Sequence, residues 1–362
     1  MNATFDSANS HNSRRSAYVA SVASVVPSCC ADQKVAADLV REHFRDSLTA
    51  RSLGQLRATF LHPSIKKRHF AVREPAEIFC EDADQRIARF TEQAVELAAQ
   101  AVESALAKVG VGIGEVSALV VNTCTGYICP GISTYLIDRL GLSRGVRLYD
   151  MVGSGCGGAI PNLQLAESMV KTDGGIVVSV SVEICSAAFQ MGNDLSLIVS
   201  NAVFADGAAA VVLWDRPAGF QLVASAGHYV PEQRDSIRFV HKQGELHNQL
   251  SMQLPDLVRT AAAGVVEELL ARASLKKSEI GQWAMHTGGE KIIDAVRDEV
   301  GIPEDLLWAT RKVLAEYGNM SSPTVLFVLD ELLQEGIRPG EWCVMLGYGA
   351  GLSAHGYLLR KT

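Results

Sequence analysis

Residues 116–126, VSALVVNTCTG, and residues 280–289, IGQWAMHTGG, are two apolar runs that each end in polar residues and glycine. Short apolar runs bounded by turn residues predict buried β-strands. Each run is followed by a helical pattern, GISTYLIDRLGL at 131–142 and EKIIDAVRDEVGI at 290–302, in which a glycine marks the end of the helix. The same pair of elements therefore occurs once in each half of the chain.

The repetition extends to the flanking segments. A long helical pattern precedes each strand, at 83–110 and at 254–275. A glycine-rich or serine-rich segment later opens an apolar helix, in GSGCGGAIPNLQLAESMV (153–170) and in YGNMSSPTVLFVLDELLQEG (317–336). Each of these helices runs into a further strand, GIVVSVSVE at 175–183 and EWCVMLGYG at 341–349. This matching order predicts two pseudo-equivalent α/β halves that arose by internal duplication.

Composition narrows the class of protein. A chain of 362 residues exceeds what one simple core usually organises, which agrees with two fused halves. The net charge of −7 offers no basic stripe for a phosphate backbone, and this argues against nucleic acid as a partner. The eight cysteines form no CxxC pair and several lie in apolar runs, so we expect reduced thiols in a cytoplasmic protein.

The N-terminal region has the outline of an export signal, but its apolar part is short and weak. The alternating residues 17–26, AYVASVASVV, predict a first β-strand instead. Residues 1–16 are rich in serine and asparagine, and we expect a disordered lead-in there. No apolar stretch approaches the ~20 residues of a membrane span.

Cys156 lies at the predicted start of a helix, within GSGCGGA. The positive end of the helix dipole and unpaired backbone N–H groups favour a thiolate there, which makes Cys156 a candidate nucleophile. The neighbouring glycines would let a bulky substrate approach the sulfur. For an isolated GCGG motif, a buried cysteine that only packs is the commoner interpretation.

His286 and Asn319 lie at corresponding corners of the second half. His286 follows a predicted strand and precedes two glycines, which would leave one face of its imidazole open, although most histidines in such runs are core or surface residues. Asn319 is predicted to open a helix, where an N-cap is its ordinary role. Strand ends and helix starts of open α/β sheets face one crevice, so Cys156, His286 and Asn319 could converge.

Together the three side chains predict one chemistry. A cysteine can take an acyl group from a thioester, while a neutral imidazole and a carboxamide N–H can hold a developing oxyanion. Decarboxylation of a malonyl thioester produces such an oxyanion, an enolate. Its attack on the acyl group on Cys156 would form a carbon–carbon bond.

Six segments in order resemble signatures of the chalcone synthase family of type III polyketide synthases: VVNTCTGYICPG, GSGCGGA, NAVFADGAAAVVL, MHTGGEKIIDAV, YGNMSSPTVLFVLDEL and GYGAG. The resemblance, closest to bacterial members, implies an α/β protein of thiolase-type duplicated αβαβα five-layered architecture. It divides the chain into a half at 17–220 that carries the nucleophilic cysteine and a half at 221–362 that carries the histidine and asparagine. It also implies a homodimeric acyltransferase that uses no metal or other cofactor. Such an enzyme would load an acyl-CoA starter, extend it with malonyl-CoA and cyclise the chain to an aromatic or pyrone product.

By motif match, Cys156, His286 and Asn319 take the family's catalytic roles. The resemblance also implies residues at the substrate cavity. Phe204 would guard the junction of tunnel and cavity, Cys124 and Ser321 would line the cavity, and Cys129 with Pro130 would reach into the neighbouring subunit. Without the resemblance, Phe204 is equally well a core aromatic.

Departures from the family pattern affect the product more than the condensation. Where a second guard phenylalanine is expected, the chain has Leu246, His247 and Asn248, and Phe239 appears in place of a small residue of the cavity wall. CoA phosphates need local cations in an acidic protein, and we expect them from Lys66 and Arg68 in SIKKRHF and from Lys291. A solvated basic turn explains these residues equally well.

Three other functions stay open at this stage. A β-ketoacyl-ACP synthase III-like enzyme of fatty acid synthesis would share the fold and the catalytic residues. A cysteine hydrolase fits the order of the three residues but does not explain the duplication. A catalytically silent subunit is the third alternative. The sequence does not define the starter acyl group, the number of extensions or the mode of cyclisation.

Overall fold

The computed structural model describes residues 15–362, so nearly all of the predicted lead-in at 1–16 lies outside the described residues. The strands, numbered in chain order, are β1 Tyr18–Val25, β2 Cys29–Asp32, β3 Lys67–Phe70, β4 Val116–Thr123, β5 Arg147–Val152, β6 Ile176–Ile184, β7 Asp206–Trp214, β8 Phe220–Tyr229, β9 Ile237–Lys242, β10 Glu245–Leu250, β11 Ile280–Met285, β12 Trp342–Gly349 and β13 Ser353–Lys361. The α-helices are α1 Gln33–Phe44, α2 Ala50–Phe60, α3 Ala83–Lys108, α4 Ile132–Leu140, α5 Ala159–Asp173, α6 Leu195–Val203, α7 Leu254–Ala273, α8 Glu290–Val300, α9 Trp308–Tyr317 and α10 Thr324–Gln334.

Nine strands form one sheet in the order β11-β12-β13-β8-β1-β7-β6-β4-β5. From the contact between β8 and β1 outward, the two sides repeat each other: β8, β13, β12 and β11 on one side match β1, β7, β6 and β4 on the other. The two sides meet through the short pairing of Tyr18 with Gln221 and of Val19 with Phe220. The strand order therefore displays the duplication that the sequence predicts.

The helices complete five layers. Helix α3 packs on one side of the first half-sheet, and its residues Phe90, Ala94 and Val102 are fully buried there. Helix α7 covers the outer side of the second half-sheet. Helices α5 and α10 lie between the half-sheets and share one apolar core with both. The architecture is αβαβα, and the predicted thiolase-type fold is confirmed by the solved structures compared below.

Local sequence signals place the repeated elements well. The helices predicted at 131–142 and 290–302 end at Gly141 and Gly301, which have φ of 66° and 73°. These left-handed values suit glycine, because other residues carry a steric cost there. None of the helices in residues 15–362 combines the length and apolar character that crossing a bilayer needs.

Candidate active site

Cys156 lies in a short 3-10 turn, Gly155–Gly157, that leads from β5 into α5. Gly155 has a φ of 57°, and a Cβ there would stand 2.8 Å from the backbone N of Ala350. A Cβ on Gly157 would stand 3.0 Å from the backbone N of Gly349. The glycines therefore allow the cysteine turn to lie directly on the end of β12, which belongs to the other half of the chain.

His286 follows the last residue of β11, and its backbone N–H donates to the carbonyl of Leu346 at 2.9 Å. Burial lowers the pKa of its imidazole to about 3, so the ring is neutral at physiological pH. Its Nδ1 is sealed from solvent and has no hydrogen-bond partner among residues 15–362. A buried lone pair costs less than a buried unpaired N–H, so the proton belongs on Nε2, where it can be donated to a substrate oxygen.

Asn319 does not cap a helix, and that sequence interpretation is wrong. Helix α10 begins only at Thr324, after Pro323, and Asn319 forms an isolated bridge with Phe204. Its backbone N–H donates to Val203 at 2.8 Å. Its side-chain Oδ1 accepts the N–H of Ser321 at 2.8 Å, which fixes the carboxamide and leaves Nδ2 as the donor that it can offer.

A few contacts connect the three residues. Ser321 hydrogen-bonds to Cys156, and its Oγ lies 3.2 Å from Cys124 Sγ. Thr287, next to His286, donates from Oγ1 to the carbonyl of Gly318 at 3.1 Å. The structure therefore brings the three turns into one place. Ser321 links Cys156 to Asn319, and Thr287 with Gly318 links the histidine turn to the asparagine turn.

Burial dominates the protonation of Cys156. It raises the pKa of the Cys156 thiol to about 12, with Glu183 acting in the same direction and the hydrogen bond to Ser321 acting against it. The sequence predicted a thiolate stabilised by a helix N-terminus, but α5 begins three residues later, at Ala159. In this environment the sulfur is a thiol, and a thiolate needs an acceptor for its proton.

A cavity of about 610 Å³ opens beside Cys156. Phe204, Cys124 and Ser321 line it, as the resemblance implies, and so does Phe239. His286 and Asn319 do not line it and are 2% and 3% exposed. The complete lining is Cys124, Thr125, Gly155, Cys156, Cys185, Ala188, Gln190, Leu197, Ser200, Asn201, Phe204, Ile237, Arg238, Phe239, Asn248, Ser321 and Ala350.

A second cavity, of about 460 Å³, lies behind Phe204. Phe204, Cys185 and Asn201 line both cavities, and the second continues between α1 and β3 along apolar side chains such as Val40 and Phe70. Phe204 thus forms part of a wall between two spaces. This position agrees with a residue that controls passage.

The predicted phosphate-binding cations occupy different environments. Lys66 is 70% exposed on its side chain and pairs with Glu316 at 3.7 Å. Lys291 is exposed in the first turn of α8. Both stay available to a phosphate, and their role stays a prediction.

Arg68 contradicts the expectation of a surface cation. It is 2% exposed, with its guanidinium stacked on the rings of Phe60 and Phe70. Nη1 donates to the carbonyls of Asn201 and Phe204 at 2.8 and 2.6 Å. The guanidinium therefore holds the backbone at Phe204 instead of facing a solvent-borne phosphate. Its strand alternates partly buried and fully buried residues, and this alternation places Arg68 on the inner face.

Cys129 is exposed and does not line the cavity of its own chain. The cis peptide bond Cys129-Pro130 lies in the loop that joins β4 to α4. This placement is compatible with a loop that serves another subunit. Its role stays a prediction.

Sequence reasoning missed Glu183, a buried carboxylate at the end of β6. Its Oε2 accepts the backbone N–H groups of Cys124 and Thr125 at 2.9 and 3.1 Å. Its Oε1 accepts the hydroxyl of Ser322 at 2.5 Å. Glu183 thereby ties the segment after β4 to the turn that carries Asn319. A single charged residue near the end of an otherwise uncharged strand was the available signal.

Comparison with known proteins identifies two family models that together span the chain. "FAE1/Type III polyketide synthase-like protein" matches residues 14–225, and "Chalcone and stilbene synthases, C-terminal domain" matches residues 221–362. The first covers more than half of the sequence.

Individual relatives point to the same family as the two family models. The chain is 33% identical over 312 residues to a 3,5-dihydroxyphenylacetyl-CoA synthase from Streptomyces toyocaensis, covering 82% of this chain and 80% of that protein. It is 29% identical over 360 residues to an α-pyrone synthesis polyketide synthase-like protein from Mycobacterium tuberculosis, covering 94% and 90%. The crystal structure of a polyketide synthase from the brown alga Ectocarpus siliculosus superposes with a TM-score of 0.88 at 25% identity, covering 98% of this chain and all of that one.

These matches bear on the earlier alternatives. Both family models and the relatives are polyketide synthases, so the β-ketoacyl-ACP synthase III-like alternative is not favoured. Type III polyketide synthases act on CoA thioesters without a metal or other cofactor, which confirms the prediction for this class. With the family models, the relatives and the fold in agreement, the chain belongs to the chalcone and stilbene synthase family and is an acyltransferase of the type III polyketide synthase class.

Proposed function

We propose that Cys156 carries the acyl chain while His286 and Asn319 stabilise the enolate formed from malonyl-CoA. The observation that supports these roles best is the junction of the three turns through Ser321 and Gly318. It supplies a sulfur, a neutral imidazole and a fixed carboxamide, the groups that decarboxylative condensation needs.

Loading begins when the sulfur of Cys156 attacks the carbonyl of the starter acyl-CoA. A new thioester bond forms, and the CoA thiolate leaves with the proton that the Cys156 thiol loses. The small glycines around the buried Cys156 suit this step, because the acyl carbonyl must approach within bonding distance.

Extension then uses malonyl-CoA. Its carboxylate leaves as carbon dioxide, and the electron pair of the broken bond passes to the thioester as an enolate. Nε2–H of His286 and Nδ2–H of Asn319 hold the enolate oxygen, and one such donor contributes about 3 kcal/mol in comparable sites. The enolate carbon attacks the acyl carbonyl on Cys156, and the sulfur is released as the extended chain leaves on CoA.

The product class follows from the relatives, which include enzymes named for an aromatic and for a pyrone product. We propose an aromatic or pyrone product here. The assay combines purified protein with malonyl-CoA and a panel of acyl-CoA starters, with product masses as the readout. Products longer than the starter by two-carbon units support the proposal, whereas free starter acid alone indicates a hydrolase.

Cysteine variants provide the matched comparison. Cys156→Ala should abolish extended products, because no sulfur remains to carry the chain. Cys80→Ala makes the same change at an exposed cysteine outside the cavity and should retain them. Extended products from Cys156→Ala at the rate of the unmodified protein would contradict the proposed nucleophile.

We also propose a homodimer formed through the edge of the sheet at β5. Tyr127, Tyr149 and Val152 are 72%, 42% and 55% exposed there. Exposed apolar side chains grouped at one edge are typical of an association surface. The nearby Cys129 loop could then enter the cavity of the partner subunit.

Light scattering after size-exclusion chromatography tests the dimer. Tyr149→Arg should shift the mass from dimer to monomer, because it places a charge in the apolar contact. Met252→Arg changes another exposed apolar residue, 71% exposed, away from this edge and should leave the mass unchanged. A monomer at all concentrations of the unmodified protein would refute the proposal.

The eight cysteines, all within the described residues, are unpaired. Free thiols on an enzyme that depends on one of them suit a reducing compartment. We therefore propose a cytoplasmic location, which fractionation of the source cells would test.

A further inference from the structure

Two amide side chains in the wall of the catalytic cavity carry unpaired polar atoms. Asn248 is 8% exposed, and its Oδ1 is sealed with no hydrogen-bond partner among residues 15–362. The same holds for Nε2 of Gln190. Both residues line the cavity that contains Cys156.

Buried polar atoms without hydrogen-bond partners are energetically unfavourable. A buried donor or acceptor without a partner destabilises a protein by about 1–3 kcal/mol, and native structures pair nearly all of them. Two of them on the wall of one cavity, one an acceptor and one a donor, therefore indicate a partner that comes from outside the chain.

Hydrogen bonds fix the backbone of both residues. Asn248 lies in β10 and pairs with Phe239 of β9. The carbonyl of Gln190 accepts a hydrogen bond from Asn201 Nδ2 at 2.8 Å. The nearby cation Arg238 is already paired with Asp235 at 2.7 Å. The two amides are the polar groups of this wall that remain to be satisfied.

The ligand chemistry follows from the unpaired atoms. Oδ1 of Asn248 needs a donor, and Nε2 of Gln190 needs an acceptor. An acyl thioester has acceptors but no donor unless its chain carries an O–H group. Either a hydroxyl on the starter or the enol of a newly extended β-keto chain supplies one. The rest of this wall, with Leu197, Ile237 and Phe239, suits the apolar remainder of such a chain.

We propose that Asn248 and Gln190 form a hydrogen-bonding subsite that selects acyl groups bearing an O–H group. The proposal rests on the proposed function, because the chain to be recognised is the one attached to Cys156. In this role Asn248 takes the place of the second guard phenylalanine, which the sequence lacks.

Binding tests the subsite without catalysis. In the Cys156→Ala background, calorimetry gives the Kd of hexanoyl-CoA and 6-hydroxyhexanoyl-CoA, and of 3-phenylpropanoyl-CoA and 3-(4-hydroxyphenyl)propanoyl-CoA. The ratio of Kd values within each pair cancels the CoA contribution. Asn248→Leu and Gln190→Leu should each reduce the preference for the hydroxylated member by about tenfold, the value of one hydrogen bond near 1.4 kcal/mol.

A second arm distinguishes the source of the O–H group. In protein with intact Cys156, the number of malonyl units added to hexanoyl-CoA is read from product masses. Fewer additions in Asn248→Leu, with an unchanged Kd ratio, assign the subsite to the enol of the growing chain. A changed Kd ratio assigns it to the starter. Gln253→Leu, the same kind of change at an exposed amide nearby, should alter neither readout.

The proposal is overturned if both variants keep the unmodified Kd ratios and product lengths. Failure of the proposed function looks different: no malonyl-CoA would be consumed by the unmodified protein with any starter. In that case the Kd ratios still decide whether Asn248 and Gln190 recognise an O–H group.

Discussion

Arg68 offers a quantitative test of the structure, because the sequence and the structure assign it different roles. In Arg68→Met, an apolar side chain of similar length would replace the buried guanidinium. Three hydrogen bonds would be lost, to Gln33 Oε1 and to the carbonyls of Asn201 and Phe204. At 1.5–3 kcal/mol for each bond from a charged donor, the loss is roughly 5–9 kcal/mol.

Arg68→Met also removes a buried charge, and this gain in stability offsets part of the loss from the hydrogen bonds. Burial lowers the pKa of Arg68 from 12.5 to about 9, and at 1.36 kcal/mol per unit this corresponds to about 5 kcal/mol. The net expectation is a decrease of about 2 kcal/mol in the free energy of unfolding. The freed backbone at Phe204 should also broaden the range of product lengths.

Urea unfolding followed by circular dichroism measures the stability, and steady-state kinetics give KM for the acyl-CoA. Lys66→Met is the matched comparison. Lys66 is an exposed residue two positions away, so its change should cost less than about 0.5 kcal/mol. If Arg68→Met were as stable as the unmodified protein but raised KM about tenfold, Arg68 would be a CoA ligand and the structural argument would fail.

Three further outcomes are expected. The imidazole of His286 has its pKa lowered from 6.5 to about 3, so as the pH falls the unfolded chain binds the proton first, and stability is lost between these values. Relative to His286→Gln, the unmodified protein should lose about 2.5 kcal/mol more between pH 7 and pH 4.5 in urea titrations, and parallel losses would contradict this. Glu183→Ala should lower the free energy of unfolding by about 3 kcal/mol, since buried N–H groups lose their acceptor, and a loss below 1 kcal/mol would count against the network. Phe204→Ala should lengthen the products by opening the wall between the cavities, with malonyl-CoA decarboxylation still measurable; loss of decarboxylation would contradict a role in gating.

The duplicated frame could be predicted from sequence because its signals are local. Strand and helix patterns at 116–142 and 280–302 need only periodicity and a terminal glycine, and the structure reproduces them within a few residues. The convergence of Cys156 with the C-terminal half followed from the symmetry of the repeats.

The sequence predictions that were wrong concern residues whose positions depend on tertiary contacts. Asn319 bonds to Val203 and Ala205, so a bridge replaces the expected helix start, although Pro323 marked the true one. Arg68 could be assigned to the interior only by treating 67–70 as a strand, which places it on the face of Phe70. Whether the side-chain atoms of Asn248 and Gln190 find hydrogen-bond partners depends on the residues packed around them in the folded chain. No local sequence pattern encodes that.

The most direct test of the catalytic assignment is the position of the acyl group after the protein is mixed with an acyl-CoA starter alone. Peptide mass spectrometry should find one acyl group on the peptide that contains Cys156, and added malonyl-CoA should remove it as a chain extended by two-carbon units. An acyl group on Cys124 instead, or release of the starter acid without extension, would contradict the account.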